Sequence, residues 1–454
     1  IFNPSIISET YYMLKKSLNI VQFFVASIIV ILPVLCTADD IVIVHAGRLM
    51  AVPGDSVKSE QSIIIRNGKI AAVKPGYIDG KAIADDVKDT LVLHDLKDMF
   101  VLPGLIDGHV HVTDELGPNT KLGIVERSDA ATAMFGIRNA QLMLGAGFTT
   151  IRDLGARGDD AVFALRDAIN MGIIDGPRIF VAGHTISPTG GHGQRHGYRD
   201  DVFDIIKYSS ICDGVADCRR AVREQVRRSA DQIKLVATGG VLSETAAGTG
   251  QQFFDDELKA IIETSHALGR KVTAHAHGTD GINAALRAGV DSIEHATFAD
   301  KESFRLFRQT GAYLVPTILA GVSVAEIGSD SDSFFPASVR HKALQVGPKM
   351  IENVRRAHKA GVKIAFGTDS YVSNHGLNAR EFELLVTAGL TPLEAIKTAT
   401  VNGADNLGKS ELLGSLEVGK YADLIAVDED PTVNISALRN VGFVMKEGQV
   451  LKKL

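Results

Sequence analysis

Three cysteines, no surplus of basic charge and no repeated unit set the first limits on this chain of 454 residues. The formal charge is -6 and the pI is about 6.2, which excludes nucleic acid as the main partner, because no broad basic surface is implied. No run of like charge is long enough for a binding tail. No period of solenoid length and no low-complexity stretch occurs. What is present is an ordinary globular composition, 45% hydrophobic and 22% charged. The length suits one large domain with a smaller appendage.

The N-terminal segment reads as a leader rather than part of the fold. Met13 is followed by Lys15 and Lys16, then by an apolar run from Ile20 to Leu35. Cys36-Thr37-Ala38 supplies small residues for cleavage after Ala38, so residues 1–38 are expected to hold a secretory signal peptide, with Met13 as the natural start. Export follows, periplasmic or secreted, with no stable membrane insertion after cleavage. The alternative is an uncleaved anchor, since the run is nearly long enough to span a bilayer. A lipid anchor on Cys36 is disfavoured by the bulky Leu35 before it. Two cysteines remain, Cys212 and Cys218. In an oxidising compartment they can form a disulfide; the alternative is two free thiols.

Beyond the leader, both ends of the chain show hairpin grammar. Ser62-Ile63-Ile64-Ile65 and Lys69-Ile70-Ala71-Ala72-Val73 flank Asn67-Gly68, a strong turn signal between β-branched runs. Ala422 to Val427, Val441 to Met445 and Gln449 to Leu451 repeat the pattern, with Glu447-Gly448 at the turn. Residues 39–102 and 413–454 are therefore expected to pair into one small β-sandwich. Between them, apolar strands alternate with helical segments: Leu105–His109, Thr149–Asp153, Ile179–Ala182, Gln232–Val236, Val272–His275, Ser292–His295, Tyr313–Pro316 and Lys363–Thr368. One helix is expected from Asp255, as its cap, to Leu268, ended by Gly269. The fold class is α/β, and residues 103–412 are expected to form a (β/α)8 TIM barrel.

In such a barrel, reactive groups sit at the C-terminal strand ends. His109 and His111 are two apart, so on a strand they point the same way and can grip one metal. His275 ends the fifth expected strand, His295 the sixth, and Asp369 follows the eighth. Imidazole and carboxylate suit zinc and other divalent ions. Lys234 is the unusual member. A lysine in Gln232-Ile233-Lys234-Leu235-Val236 loses solvation, which favours the neutral amine. A neutral amine can take up CO2 as a carbamate and bridge two metals. The alternative is a lysine that snorkels or pairs with a carboxylate.

These stretches together carry a resemblance. Leu102-Pro103-Gly104-Leu105-Ile106-Asp107-Gly108-His109-Val110-His111, Thr150-Ile151-Arg152-Asp153-Leu154-Gly155, Ile233-Lys234, Thr238-Gly239-Gly240-Val241, Ala274-His275-Ala276-His277-Gly278, Ser292-Ile293-Glu294-His295, Phe366-Gly367-Thr368-Asp369-Ser370 and the tail from Gly414 to Leu424 resemble the binuclear branch of the amidohydrolase superfamily. The similarity is greatest to its imidazolonepropionase-like group, with prolidase-type dipeptidases and ochratoxinase-like amidases. It runs from about residue 40 to the end.

The resemblance implies two divalent metals, foremost zinc. His109, His111 and Asp369 would hold one, His275 and His295 the other, and carbamylated Lys234 would bridge them. It further implies attack of a metal-bridging hydroxide on an amide, with Asp369 passing the proton to the leaving amine. The substrate would be a small molecule with a free carboxylate, such as a dipeptide or N-acyl amino acid. His192, in Pro188-Thr189-Gly190-Gly191-His192-Gly193, would contact the substrate carbonyl, with His184 as competitor. His277 stands where related dipeptidases often carry a tyrosine toward the substrate's carboxylate; it is also an alternative ligand to His275. Homo-oligomers are common in the family. The other readings are a cyclic amidase, lactonase or phosphotriesterase on the same metals, and a metal-free, non-catalytic relative.

Overall fold

The computed structural model describes residues 40–80, 83, 90–155, 157–206, 208–244 and 248–453. The expected signal peptide and its cleavage site lie outside the described residues. Among those described, no helix is long and apolar enough to cross a membrane.

Among the described residues fourteen strands follow one another. The first four are β1 Asp40–Leu49, β2 Lys58–Arg66, β3 Lys69–Pro75 and β4 Thr90–Pro103. Then come β5 Leu105–Val110, β6 Phe148–Asp153, β7 Arg178–Val181, β8 Ile233–Val236, β9 Val272–Ala276, β10 Ser292–His295 and β11 Tyr313–Val315. The last three are β12 Leu424–Val427, β13 Val441–Lys446 and β14 Gln449–Lys453.

The two ends of the chain do combine, but as one seven-stranded sheet rather than two separate layers. Its order is β14-β13-β12-β4-β1-β2-β3. β1 and β4 run parallel, and the other neighbours run antiparallel. β4 is the reason the ends share a sheet: it pairs with β1 on one edge, from Thr90 to Val101 across a register shift, and with β12 on the other, from Phe100 to Pro103. The sheet closes over its own apolar side chains, including Val44, Ile63, Leu96, Phe443 and Met445. Its two outer hairpin turns meet there, since a Cβ on Gly68 would lie 2.7 Å from the Glu447 carbonyl oxygen.

The middle of the chain supplies parallel strands alternating with helices. They form a three-stranded sheet β5-β6-β7 and a four-stranded sheet β11-β10-β9-β8. Single parallel bridges continue the pairing: Ile186 with Leu235, Leu314 with Ile364, and Val110 with Ser370. The expected eighth strand, 363–368, is not a regular strand. Leu314 N–H donates to Lys363 and Gly108 N–H to Phe366, each at 2.9 Å, so it pairs on both sides. The ladder breaks because Phe366 N–H turns away to the Thr398 carbonyl at 3.0 Å.

Strands β5, β6, β8, β9 and β10 are buried along their whole length, as expected of parallel strands covered on both faces. The helix Asp255–Ala267 begins one residue earlier than expected. Phe254 is its N-cap, Glu257 accepts the Phe254 N–H at 2.8 Å, and Asp255 lies in the first turn. Cys212 and Cys218 are joined in a disulfide, with Cα atoms 5.0 Å apart, at the start of the helix Val215–Arg227.

Candidate metal centre

The parallel strands deliver their last residues to one cavity of about 570 Å³. His109, His111, His192, Lys234, His275, His277, His295 and Asp369 all line it, so these eight are brought together. His184 is not among the lining residues; its Nε2 lies 3.0 Å from the Gly158 carbonyl oxygen.

The imidazoles are oriented from behind. His109 Nδ1 lies 2.7 Å from Glu294, and His111 Nδ1 lies 2.7 Å from the Gly155 carbonyl. Both partners accept, so each ring donates from Nδ1 and keeps a lone pair on Nε2. His295 Nδ1 is 2.6 Å from Thr317 Oγ1. That hydroxyl gives its proton to the Pro316 carbonyl, so His295 too must donate from Nδ1. His275 differs: its Nε2 faces the Gly239 carbonyl at 3.5 Å, leaving Nδ1 as the free lone pair.

Ligand atoms of His275, His277 and His295 lie within 4.8 Å of one another, as do those of His109, His295 and Asp369. Asp369 Oδ1 is 3.5 Å from His109 Nε2 and 3.2 Å from His111 Nε2, and it is buried without a hydrogen-bond partner. Lone pairs converging on a buried, unpartnered carboxylate oxygen fit a divalent cation and are hard to satisfy otherwise.

The electrostatics agree for the rings other than His111: burial lowers its pKa, but Asp369 outweighs burial and raises it. Burial lowers the pKa of His109 to about 4, and that of His277 to about 4, so both are neutral ligand-ready rings at pH 7. His275 and His295 are pushed well down, first by burial and then by neighbouring histidines. Burial works against the Asp369 carboxylate, but His109 and His111 outweigh it and hold its pKa below the usual range. Burial brings the Lys234 amine down to about 8, partly offset by Glu294 and Asp369.

The backbone is strained at the same place. His295, Thr317, Asp369 and Tyr371 have φ of 71°, 49°, 55° and 141°. Non-glycine residues in such conformations cost about 1–3 kcal/mol each and cluster at functional sites.

Below the rings lies a buried ionic floor. Arg152 donates to Glu294 at 3.0 Å and to the Gly108 carbonyl, while Thr273 and Ser292 donate to the same Glu294 oxygen. Burial opposes ionisation of Glu294, yet Arg152 and His109 bring its pKa down to about 2. Asp107 is pushed up to about 6 by burial, against hydrogen bonds from Thr368 at 2.6 Å and Asn378 at 2.7 Å.

His192 packs beside the clustered histidine rings, 4.2 Å from His275 between ring centroids. Its Nδ1 meets Ser243 Oγ, and Gly240 gives it room: a Cβ there would lie 2.3 Å from the ring. Lys342, on the helix Ala337–Lys359, donates to the carbonyls of Gly240 and Ser243 and ties that helix to this loop. Glu294, Arg152, Asp107 and Tyr371 were not singled out as site residues from the sequence. For Glu294 a signal existed, since an acid between Ile293 and His295 in a wholly buried strand needs a partner.

Comparison with known proteins gives this geometry a family. The amidohydrolase family profile matches residues 100–451. Ochratoxinase from Aspergillus niger is 33% identical over 436 residues, covering 91% of this chain and 87% of the relative. A solved Xaa-Pro dipeptidase with methionine in its active site superposes with TM-score 0.84 at 40% identity, covering 91% of this chain and all of the other. A prolidase complexed with N-methylphosphonate-L-proline gives TM-score 0.81 at 29% identity, covering 91% of this chain and 100% of the other. The fold and these relatives define a hydrolase acting on carbon–nitrogen bonds. The chain belongs to the amidohydrolase family.

Proposed function

We propose that this protein hydrolyses the amide bond of a small substrate with a free carboxylate, such as a dipeptide or N-acyl amino acid. The reading rests above all on the buried, unpartnered Asp369 oxygen facing converged imidazoles. His109, His111 and Asp369 would hold one divalent cation and His275 with His295 a second, zinc being the foremost candidate. Such a pair supplies an activated water and a Lewis acid for the scissile carbonyl. Lys234, neutral in part near its lowered pKa, would take up CO2 with loss of one proton, and its carbamate would add oxygen donors to the set.

The chain's own side chains then do the rest. Asp369, held ionised, accepts a proton at its other carboxylate oxygen and returns it to the departing nitrogen. His192, fixed by Ser243, donates toward the substrate carbonyl. His277 lies beside His275 and His295 and bounds the space for the substrate. The parallel sheets and the bridges between them support closure into a (β/α)8 barrel over 103–412, flanked by a terminal sheet domain from 39–102 and 413–454. The disulfide supports export through the leader.

The test is release of free amino acid from a library of dipeptides and N-acyl amino acids by zinc-loaded protein. Chelation should abolish release and zinc should restore it. Full activity after complete metal removal contradicts the reading.

A further inference from the structure

Beyond the histidines, the cavity has two unlike walls. One is apolar and includes Val241, Val324, Phe334, Phe335 and Met350. The other carries Arg157, Arg195, Tyr198 and Tyr208. Charge on this second wall is not balanced. Arg157 and Arg127 share the single carboxylate of Asp114. Lys121 is neutralised by Glu244 at 2.5 Å.

Arg195 makes no ion pair among the described residues. Its guanidinium lies over the Tyr208 ring, 4.6 Å from the centroid. Tyr208 stacks on His184 at 3.7 Å, and His184 is held in turn by the Gly158 carbonyl. Arg195 is therefore placed by stacking, and its charge is left over.

The same wall holds buried polar atoms with no hydrogen-bond partner: Nε of Arg195, Nε and Nη1 of Arg157, and Oη of Tyr208. These atoms are shut off from the cavity, so no acceptor meets the two guanidinium groups there from behind, and their charge is left to the cavity side. The wall adjoins the histidine cluster. Arg157 follows Gly155, whose carbonyl holds His111, by two residues. Tyr371, also lining the cavity, sits 5.8 Å from the His111 ring.

We propose that Arg195, backed by Arg157, binds the carboxylate of the substrate, and that the apolar part of the lining takes an apolar side chain. The guanidinium fork matches a carboxylate in bidentate geometry, which an imidazole cannot do. The substrate class is then a small amide with a carboxylate at one end and an apolar group at the other. The identity of the ligand rests on the amide-hydrolase reading; the anion site itself does not.

The experiment is calorimetric titration of the zinc-loaded protein with 3-phenylpropionate and with 3-phenylpropionamide. Wild type should bind the acid at least about tenfold more tightly than the amide. Arg195→Gln should erase that difference, and Arg195→Lys should restore part of it. An unchanged thermal midpoint confirms that R195Q is folded; if R195Q unfolds, R195K carries the test, with a reduced acid preference expected and an unreduced one contradicting the proposal. Equal binding of acid and amide, binding of neither, or a preference that survives in R195Q overturns the proposal. The last outcome would assign the carboxylate to the metals. A wild type that prefers the acid yet cleaves no library member overturns the hydrolytic reading alone.

Discussion

Two arginines near the histidine cluster keep opposite company. Arg152 lies in the floor, fully buried, with Glu294, Gly108 and Ser292 accepting from it. Arg195 lies in the cavity wall, stacked on a tyrosine, with no ion pair among the described residues. The floor completes its hydrogen bonds from within the chain. The wall leaves its own undone. The difference separates what the fold must fix in advance from what arrives with the substrate: a metal site needs rings held rigidly from behind, whereas a binding site must keep its donors free.

The sharpest way to test that division is to remove a ligand. His111→Ala or Lys234→Ala should lower kcat/KM by at least about a thousandfold, roughly 4 kcal/mol of barrier. Metal content should fall by atomic absorption while circular dichroism stays unchanged. Retained activity in either would show that the floor orients the wrong set. Next in size is Glu294→Gln, which leaves Arg152 buried without a counter-charge. Denaturant unfolding should show about 3–5 kcal/mol lost, and metal affinity should weaken about 10–100-fold. Arg195→Gln should leave unfolding within about 0.5 kcal/mol, because its charge is not used internally. A large loss there would erase the contrast between the two arginines.

Acid should act on the metal-free floor in a defined window. His109 and His277 have folded pKa values near 4 against an ordinary 6.5. Between these values the unfolded chain binds protons that the two folded rings refuse, so their contribution to stability declines as pH falls from about 6.5 to about 4, while Asp107, raised to about 6, contributes in the opposite sense. Thermal melts of metal-free protein across that range check the sign. Smallest of all is the apolar wall: Phe335→Ala should raise KM less than about tenfold for apolar substrates and leave kcat nearly unchanged.

Much of this was legible beforehand because strand-end residues carry a local signature. His109 and His111, His275 and His295 each close a short apolar run, and the cavity receives all four. What escaped the sequence depends on distant partners. Phe366 reads as part of a strand, but its N–H belongs to Thr398, on another element. The terminal strands read as a sandwich because alternation gives faces, not the continuity that β4 supplies by pairing with both β1 and β12. Arg195 sits in a glycine-rich loop without periodicity, and only the approach of Tyr208 and the count of acids around Asp114 make it conspicuous.

Lys342 carries a last consequence. Its ammonium holds the carbonyls of Gly240 and Ser243, and Ser243 holds His192. The helix that carries Lys342 also presents Val339, Val346 and Met350 to the cavity. A side chain wedged against that helix therefore pulls, through one ammonium, on the segment that holds the imidazole proposed to face the reacting carbonyl. Bulk in the substrate is felt as a turn of a ring: oversized molecules should bind and then wait, their penalty read in turnover rather than in occupancy.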